Sequence, residues 1–164
     1  MASESNRNIL LPVDDSEGCE RACKWAVEHL YRGENDEFHI LHIIPSQEPE
    51  VISGLGGISG MDAIVTAKPD PAADKQHVEE ANNFIQHRML PYLTEKGVRF
   101  KVELCRYLTD NDSIGDVVCK RAEALNAVAV VLQSHNKSAI TEFFMGSVAN
   151  YTANHCRQPI LLMH

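Results

Sequence analysis

Two short segments of the 164-residue chain carry side chains suited to chemistry on a phosphorylated ligand. In the first, Pro12-Val13-Asp14-Asp15-Ser16, an apolar run ends on two carboxylates and a hydroxyl. The second, Leu132-Gln133-Ser134-His135-Asn136-Lys137, also follows an apolar run and leads on to Gly146-Ser147. Asp14 can accept hydrogen bonds from a base or a sugar, while the N–H groups around Gly146 and Ser147, with the Ser147 hydroxyl, can hold phosphate oxygens. A carboxylate and a hydroxyl at opposite ends of one crevice suit a nucleotide. The same residues equally suit helix caps, Asp14 or Ser16 for one helix and Gly146-Ser147 for another. Taken singly, they leave both readings open.

Other candidates carry less. His39 and His42 are three apart in an extended run, so they point to opposite faces and cannot chelate one metal. Cys19 and Cys23 share a helix face, but no neighbouring His or Cys completes a site, and they read as small buried hydrophobes. The stretch Gly54 to Gly60 departs from GxGxxG, because Ser59 stands where the last glycine would fall. Trp25 reads as packing. There is no Walker A sequence, no HxGH or SGGxDS pattern and no pair of catalytic carboxylates beyond Asp14-Asp15, which leave a strand pointing apart. The sequence therefore predicts no enzyme; slow ATP hydrolysis in the crevice would be incidental.

The elements that must position these residues follow from periodicity. Asn8 to Val13 is a strand, and Cys19, Ala22, Cys23, Ala26, Val27 and Leu30 recur at helical spacing behind Ser16 as N-cap, with Gly33 as the breaker. Phe38 to Ile44 is a second strand, apolar on both faces apart from its histidines. Residues 45–74 hold four prolines and the glycine-rich stretch, and read as a long mobile loop in position to act as a lid. A helix is expected from about Asp74 to Lys96, kinked or ended by Pro91. Phe100 to Tyr107 is a half-buried strand, and Ser113 with Asp116 resembles a capping box opening a helix to Leu125. Ala127 to Leu132 is a buried strand. Val148, Tyr151, Thr152 and His155 mark a last helix, and Pro159 to Met163 a last strand. Five strands alternating with four helices require crossovers, which make the strands parallel with helices on both faces. In such sheets ligands bind beyond the carboxyl ends of the strands, where strand order reverses.

The length fits one domain, 1–164. Lys and Arg total 15 against 23 Asp and Glu, a net charge of −8, and the basic residues are scattered. Nucleic acid is excluded as a partner on that ground, and an anionic ligand needs local donors to overcome the global field. No apolar run approaches the roughly 18 residues of a membrane span. No secretory or transit signal is readable in Met1 to Asn8, so the expected location is the cytoplasm. Five cysteines without a CxxC fit reduced thiols there better than a disulfide framework.

In combination, these segments resemble the universal stress protein family along nearly the whole chain. Ile9 to Ser16 resembles the family's opening strand and turn, and Leu41-His42-Ile43-Ile44 its second strand end. Val130 to Val148 resembles the nucleotide signature G-x2-G-x9-G-[ST], with Gln133 and Asn136 in the first two glycine positions and Gly146-Ser147 in register at its end. A glycine at Gln133 would let the backbone approach phosphate closely; Asn136 tolerates the left-handed region and can donate to phosphate through its amide. The resemblance implies a single Rossmann-like doubly wound α/β domain with a five-stranded parallel sheet. It implies ATP or a related adenine nucleotide as ligand. Pro12, Asp14 and Ile43 would line the adenine and ribose side, Leu132, Gln133 and Asn136 the loop, and Gly146, Ser147 and Val148 the phosphates and ribose. It also implies a stress-response or signalling module without catalysis, acting as a homodimer. The expected contact is the strand Pro159 to Met163, an apolar edge with unpaired backbone groups. The alternative within the fold is a nucleotide-free dimeric interaction module in which Gln133 has closed the site.

Overall fold

The computed structural model describes residues 6–14, 16–46, 71–108, 111–134 and 146–164. The first apolar run forms β1 (Arg7–Val13), and Ser16 opens α1 (Glu17–Leu30) by accepting the Cys19 N–H on its Oγ at 3.3 Å. Then follow β2 (Asp36–Ser46), α2 (Pro71–Phe84), a π-helical turn (Ile85–Met89), α3 (Leu90–Glu95), β3 (Arg99–Leu108) and α4 (Asn111–Ala124). The chain ends with β4 (Ala129–Gln133), α5 (Ser147–His155) and β5 (Ile160–Met163). All five strands are parallel, in the order β3-β2-β1-β4-β5. This is the expected doubly wound α/β sheet.

Strand alternation sorts the core into two layers. Ile9, Leu11 and Val13 point to one face, where they meet Cys19, Cys23 and Ala26 of α1 and Ile85, Met89 and Leu93 beyond α2. Leu10 and Leu41 point to the other, against Val117, Val118 and Ala122 of α4. Because both faces of β1 are dry, its sequence must read apolar without a break.

Several boundaries differ from expectation, each for a local reason. The helix expected from Asp74 begins at Pro71, and proline suits a first helical position because its missing N–H is an orphan there anyway. Pro91 neither breaks nor ends it. The chain passes through the π turn instead, where the Leu90 N–H bonds to the Ile85 carbonyl five residues back, and the register shift absorbs the proline. The fourth helix begins at Asn111, so Ser113 lies inside it and opens no capping box. Strand β2 extends through Ser46, and the remainder of the expected loop, 47–70, lies outside the described residues. Helices α3 and α4 end alike: Gly97 (φ 65°) and Asn126 (φ 47°) take the left-handed conformation, and Val98 and Ala127 donate to carbonyls five residues back.

The expectation of five free thiols is overturned. Cys119 of α4 is disulfide-bonded to Cys156 at the end of α5, with their Cα atoms 4.8 Å apart. The two are 37 residues apart in sequence, and only the packing of α4 on α5 brings them together. Cys19, Cys23 and Cys105 are free and buried.

A charged cluster is buried between β2, β3 and α4. Glu103 receives two hydrogen bonds from the Arg121 guanidinium, through Nε and Nη2, and lies 3.3 Å from His39 Nδ1. The other His39 nitrogen is 3.3 Å from both Asn8 Oδ1 and Glu37 Oε2. Burial alone would push the Glu103 carboxyl up, but the hydrogen bonds from His39 and Arg121 outweigh it and hold the carboxyl below its usual value. A carboxylate whose value is depressed on folding contributes stability above its unfolded value, and that stability is lost as pH falls. Arg121→Ala should therefore cost about 3–5 kcal/mol in urea unfolding at neutral pH, by leaving a buried charge unpaired. The gap between wild type and variant should narrow as pH drops below about 4.5, the unfolded value, where Glu103 takes up a proton.

Candidate functional site

Strand order reverses between β1 and β4, since β2 and β3 lie to one side of β1 while β4 and β5 lie to the other. At this switch point the shared ladder is short. The parallel register pairs Ile9 with Ala129 and Leu10 with Val130, and stops there. Beyond it, Leu11, Pro12 and Val13 of β1 and Val131, Leu132 and Gln133 of β4 run on to the carboxyl ends of the two strands, next to Asp14 and Ser134.

On the β1 side, Asp14 accepts the Ser16 N–H on Oδ1 at 2.9 Å, and its own N–H points to Cys19 Sγ at 3.4 Å. The carboxylate thus shapes the turn that lets Ser16 cap α1, which is the structural one of its two sequence readings. Burial pushes the Cys19 thiol up to about 12, so it serves as a neutral sulfur acceptor. Pro12 is level with Leu41 of β2. His42 Nδ1 lies 2.9 Å from the Val13 carbonyl and joins the ends of the two strands. Ile43 packs on the α4 side of the sheet.

On the β4 side, alternation decides what each residue can offer. Val131 enters the α1 layer, and Leu132 the α4 layer at 5% exposure, so Leu132 can present only backbone to a ligand. Gln133 returns to the α1 side. Its Nε2 donates to the Ser134 carbonyl at 3.1 Å, and its side chain lies against Gly18 in the first turn of α1. A Cβ on Gly18 would sit 2.7 Å from both Cγ and Cδ of Gln133. The absence of a side chain at Gly18 and the presence of one at Gln133 are therefore a matched pair. The structure directs the Gln133 side chain to α1, on the sheet face away from α4.

Helix α5 joins two parallel strands and so runs against them, which brings its N-terminus to the carboxyl end of the sheet. Gly146 is its N-cap residue, with φ −51° and ψ 144°, and among the described residues no side chain caps the first turn. Ser147 is exposed at the first helical position, and Val148 is half-buried behind it. The N–H groups of this turn lack partners within the helix and lie at its positive end. Asn136 lies outside the described residues. Among the described residues, no group of three or more His, Cys, Asp or Glu could hold a metal ion.

Sequence reasoning missed Gly18 and His42 as parts of this region. Gly18 reads as an indifferent helix residue until its neighbour across the fold is known. The pairing of Val13 with His42 needed only the β1–β2 register, which the strand lengths left open.

The profile of the Universal stress protein family matches residues 5–164. Universal stress protein PHOS34 of Arabidopsis thaliana is 27% identical over 97% of this chain and 62% of its own length. The chain thus spans under two thirds of the length of the curated relatives it matches. Among solved structures, a universal stress protein from Archaeoglobus fulgidus superposes with a TM-score of 0.68 at 18% identity, over 96% of this chain and 98% of its own. A family protein from Arabidopsis thaliana, solved with AMP bound, gives 0.61 at 15% identity, over 96% of this chain and 90% of its own. At these identities the superpositions speak for the fold.

The Gly18–Gln133 contact yields a direct test. Gly18→Ala should cost no more than about 1 kcal/mol in urea unfolding, because the flexible glutamine must shift while the helix gains from alanine. In the Gln133→Gly background the same change should cost less than half as much, so the double-mutant cycle should report coupling.

Proposed function

The chain belongs to the universal stress protein family, and on that premise we propose that it is a cytoplasmic stress-response or signalling module that binds ATP or a related adenine nucleotide in the crevice between β1 and β4. The observation that supports this reading is Ser147, exposed at the first position of α5, the helix that follows β4 and whose N-terminus lies at the carboxyl end of the sheet. A net charge of −8 repels a polyphosphate at long range, so its binding must rest on such local donors. In this arrangement Pro12, Asp14 and Ile43 flank the base and ribose. Leu132 offers its backbone, Asn136 an amide donor, and Gly146, Ser147 and Val148 meet the phosphates. Gln133, held against Gly18, borders the proposed site from the α1 side.

Structural neighbours support the ligand class: the Arabidopsis protein is solved with AMP, another from Archaeoglobus fulgidus with dAMP, and a third universal stress protein with cAMP. The proposed role is binding without catalysis, so that occupancy of the crevice is the signal. Titration calorimetry should detect AMP, ADP or ATP at up to millimolar concentration, and Ser147→Ala should weaken binding by about 1.5–3 kcal/mol, the worth of a hydrogen bond to a charged acceptor. Absence of heat with all three nucleotides would leave the nucleotide-free interaction module as the better account.

The proposed partner is a second copy of this chain. Strand β5 is a sheet edge, and Ile160, Leu161, Leu162 and Met163 are each only partly covered. Pairing two such edges about a two-fold axis satisfies both sets of backbone groups and closes the assembly. Light scattering at micromolar concentration should give twice the 18.3 kDa chain mass. Lysine at Leu161 or at Leu162, which lie on opposite faces of β5, should release monomers from whichever face is covered; a wild-type monomer would refute the arrangement.

A further inference from the structure

The disulfide between α4 and α5 is placed unlike the other cysteines of the chain. Cys19, Cys23 and Cys105 are buried, and burial pushes their thiols up to about 12, 12 and 11, which leaves them unreactive. Cys119 and Cys156 are each partly exposed. A cavity of about 290 Å³ opens beside Cys119, with Lys120, His155 and Arg157 on its walls. The acidic groups on the same walls are engaged by those cations: Asp116 meets Lys120 at 2.7 Å, and Glu123 meets Arg157 at 3.0 Å. The thiolate that Cys119 becomes on opening of the disulfide therefore has both space and a tolerable field.

We propose that Cys119 and Cys156 form a thiol–disulfide exchange site, open to low-molecular-weight thiols of the glutathione class, whose state sets how firmly α5 is held against α4. Cys156 is the C-cap residue of α5, where the negative end of the helix dipole disfavours a thiolate. Cys119 is thus the better leaving group. An incoming thiolate bonds to Cys156 Sγ as the Sγ–Sγ bond breaks, and the electron pair leaves on Cys119. A second thiolate attacks the added sulfur, and the electron pair returns to Cys156. Two small thiols are oxidised to their disulfide, the protein disulfide is reduced, and the two cysteines take up two protons. Oxidised glutathione drives the same steps in reverse.

The effect on α5 follows from where the disulfide holds it. The helix buries Ala149 and Thr152 and packs along α4. Tyr151 is seated over Gly115 of α4, where an added Cβ would come within 2.5 Å of the ring. Opening the disulfide removes the fixed point at the carboxyl end of α5.

The site stands apart from the nucleotide reading, and its test uses the wild-type protein without nucleotide. Folded, oxidised protein is incubated with reduced glutathione, alkylated and mapped by mass spectrometry. Cys119 and Cys156 should become alkylated while Cys19, Cys23 and Cys105 stay unmodified, and a transient glutathione adduct should map to Cys156. Hydrogen exchange of α5 should rise about tenfold on reduction, ahead of the sheet, and oxidised glutathione should restore it. In Cys119→Ser, which lacks the second cysteine needed to reform the disulfide, oxidised glutathione should leave a lasting adduct on Cys156. Reduction only after unfolding, an adduct confined to Cys119, or reduction without faster exchange in α5 would each overturn the proposal.

Discussion

Burial of the middle of β1 on both faces is the constraint to which the other elements answer. With Ile9, Leu10 and Leu11 almost wholly dry, helices must cover the sheet above and below, and β1 must sit inside it. Strands added on opposite sides of β1 make the order reverse between β1 and β4. That reversal lets the connections leave toward opposite faces, so their starting points part and a crevice opens above the strand ends. Asp14 and the first turn of α5 both lie at the carboxyl end of the sheet because of the topology, and no pairwise attraction between them is needed.

Features set by short stretches of chain were legible in the sequence. Ser16 caps α1 because its own side chain reaches the Cys19 N–H, and the strands were visible because their dry faces demand unbroken apolar runs. The parallel order followed from the alternation of strands with helices. The carboxyl ends of β1 and β4, on which the proposed site is drawn, were legible too, since strand ends are where apolar runs meet polar turns. Features that depend on two distant segments were hidden. The Cys119–Cys156 bond exists because α4 packs on α5, and nothing in the local pattern of either cysteine announces it. Pro91 was visible, but the π turn that accommodates it was not, because a helix has more than one way to lose a hydrogen bond. The capping box proposed at Ser113 had the right residues at the right spacing, yet the helix had already begun at Asn111.

The polar arrangements around Glu103 and Asp14 serve different ends. Around Glu103, hydrogen bonds from Arg121 and His39 compensate for burial and tie α4 to β3 and β2. Around Asp14, the carboxylate accepts from the backbone of its own turn and fixes the path from β1 into α1. A rim whose turn is already locked has little conformational freedom left to lose when a ligand arrives.

The contact of Gly18 with Gln133 also constrains how this chain can change over time. A side chain at position 18 fits without rearrangement once Gln133 has been shortened, whereas the opposite order obliges the glutamine to leave its place against α1. Substitutions at the two positions are therefore directional: drift at one is conditional on the prior state of the other. A lineage that kept glutamine at the end of β4 would hold glycine in the first turn of α1, although glycine is among the poorest helix formers. The two sites would be inherited as one unit despite lying more than a hundred residues apart in the chain.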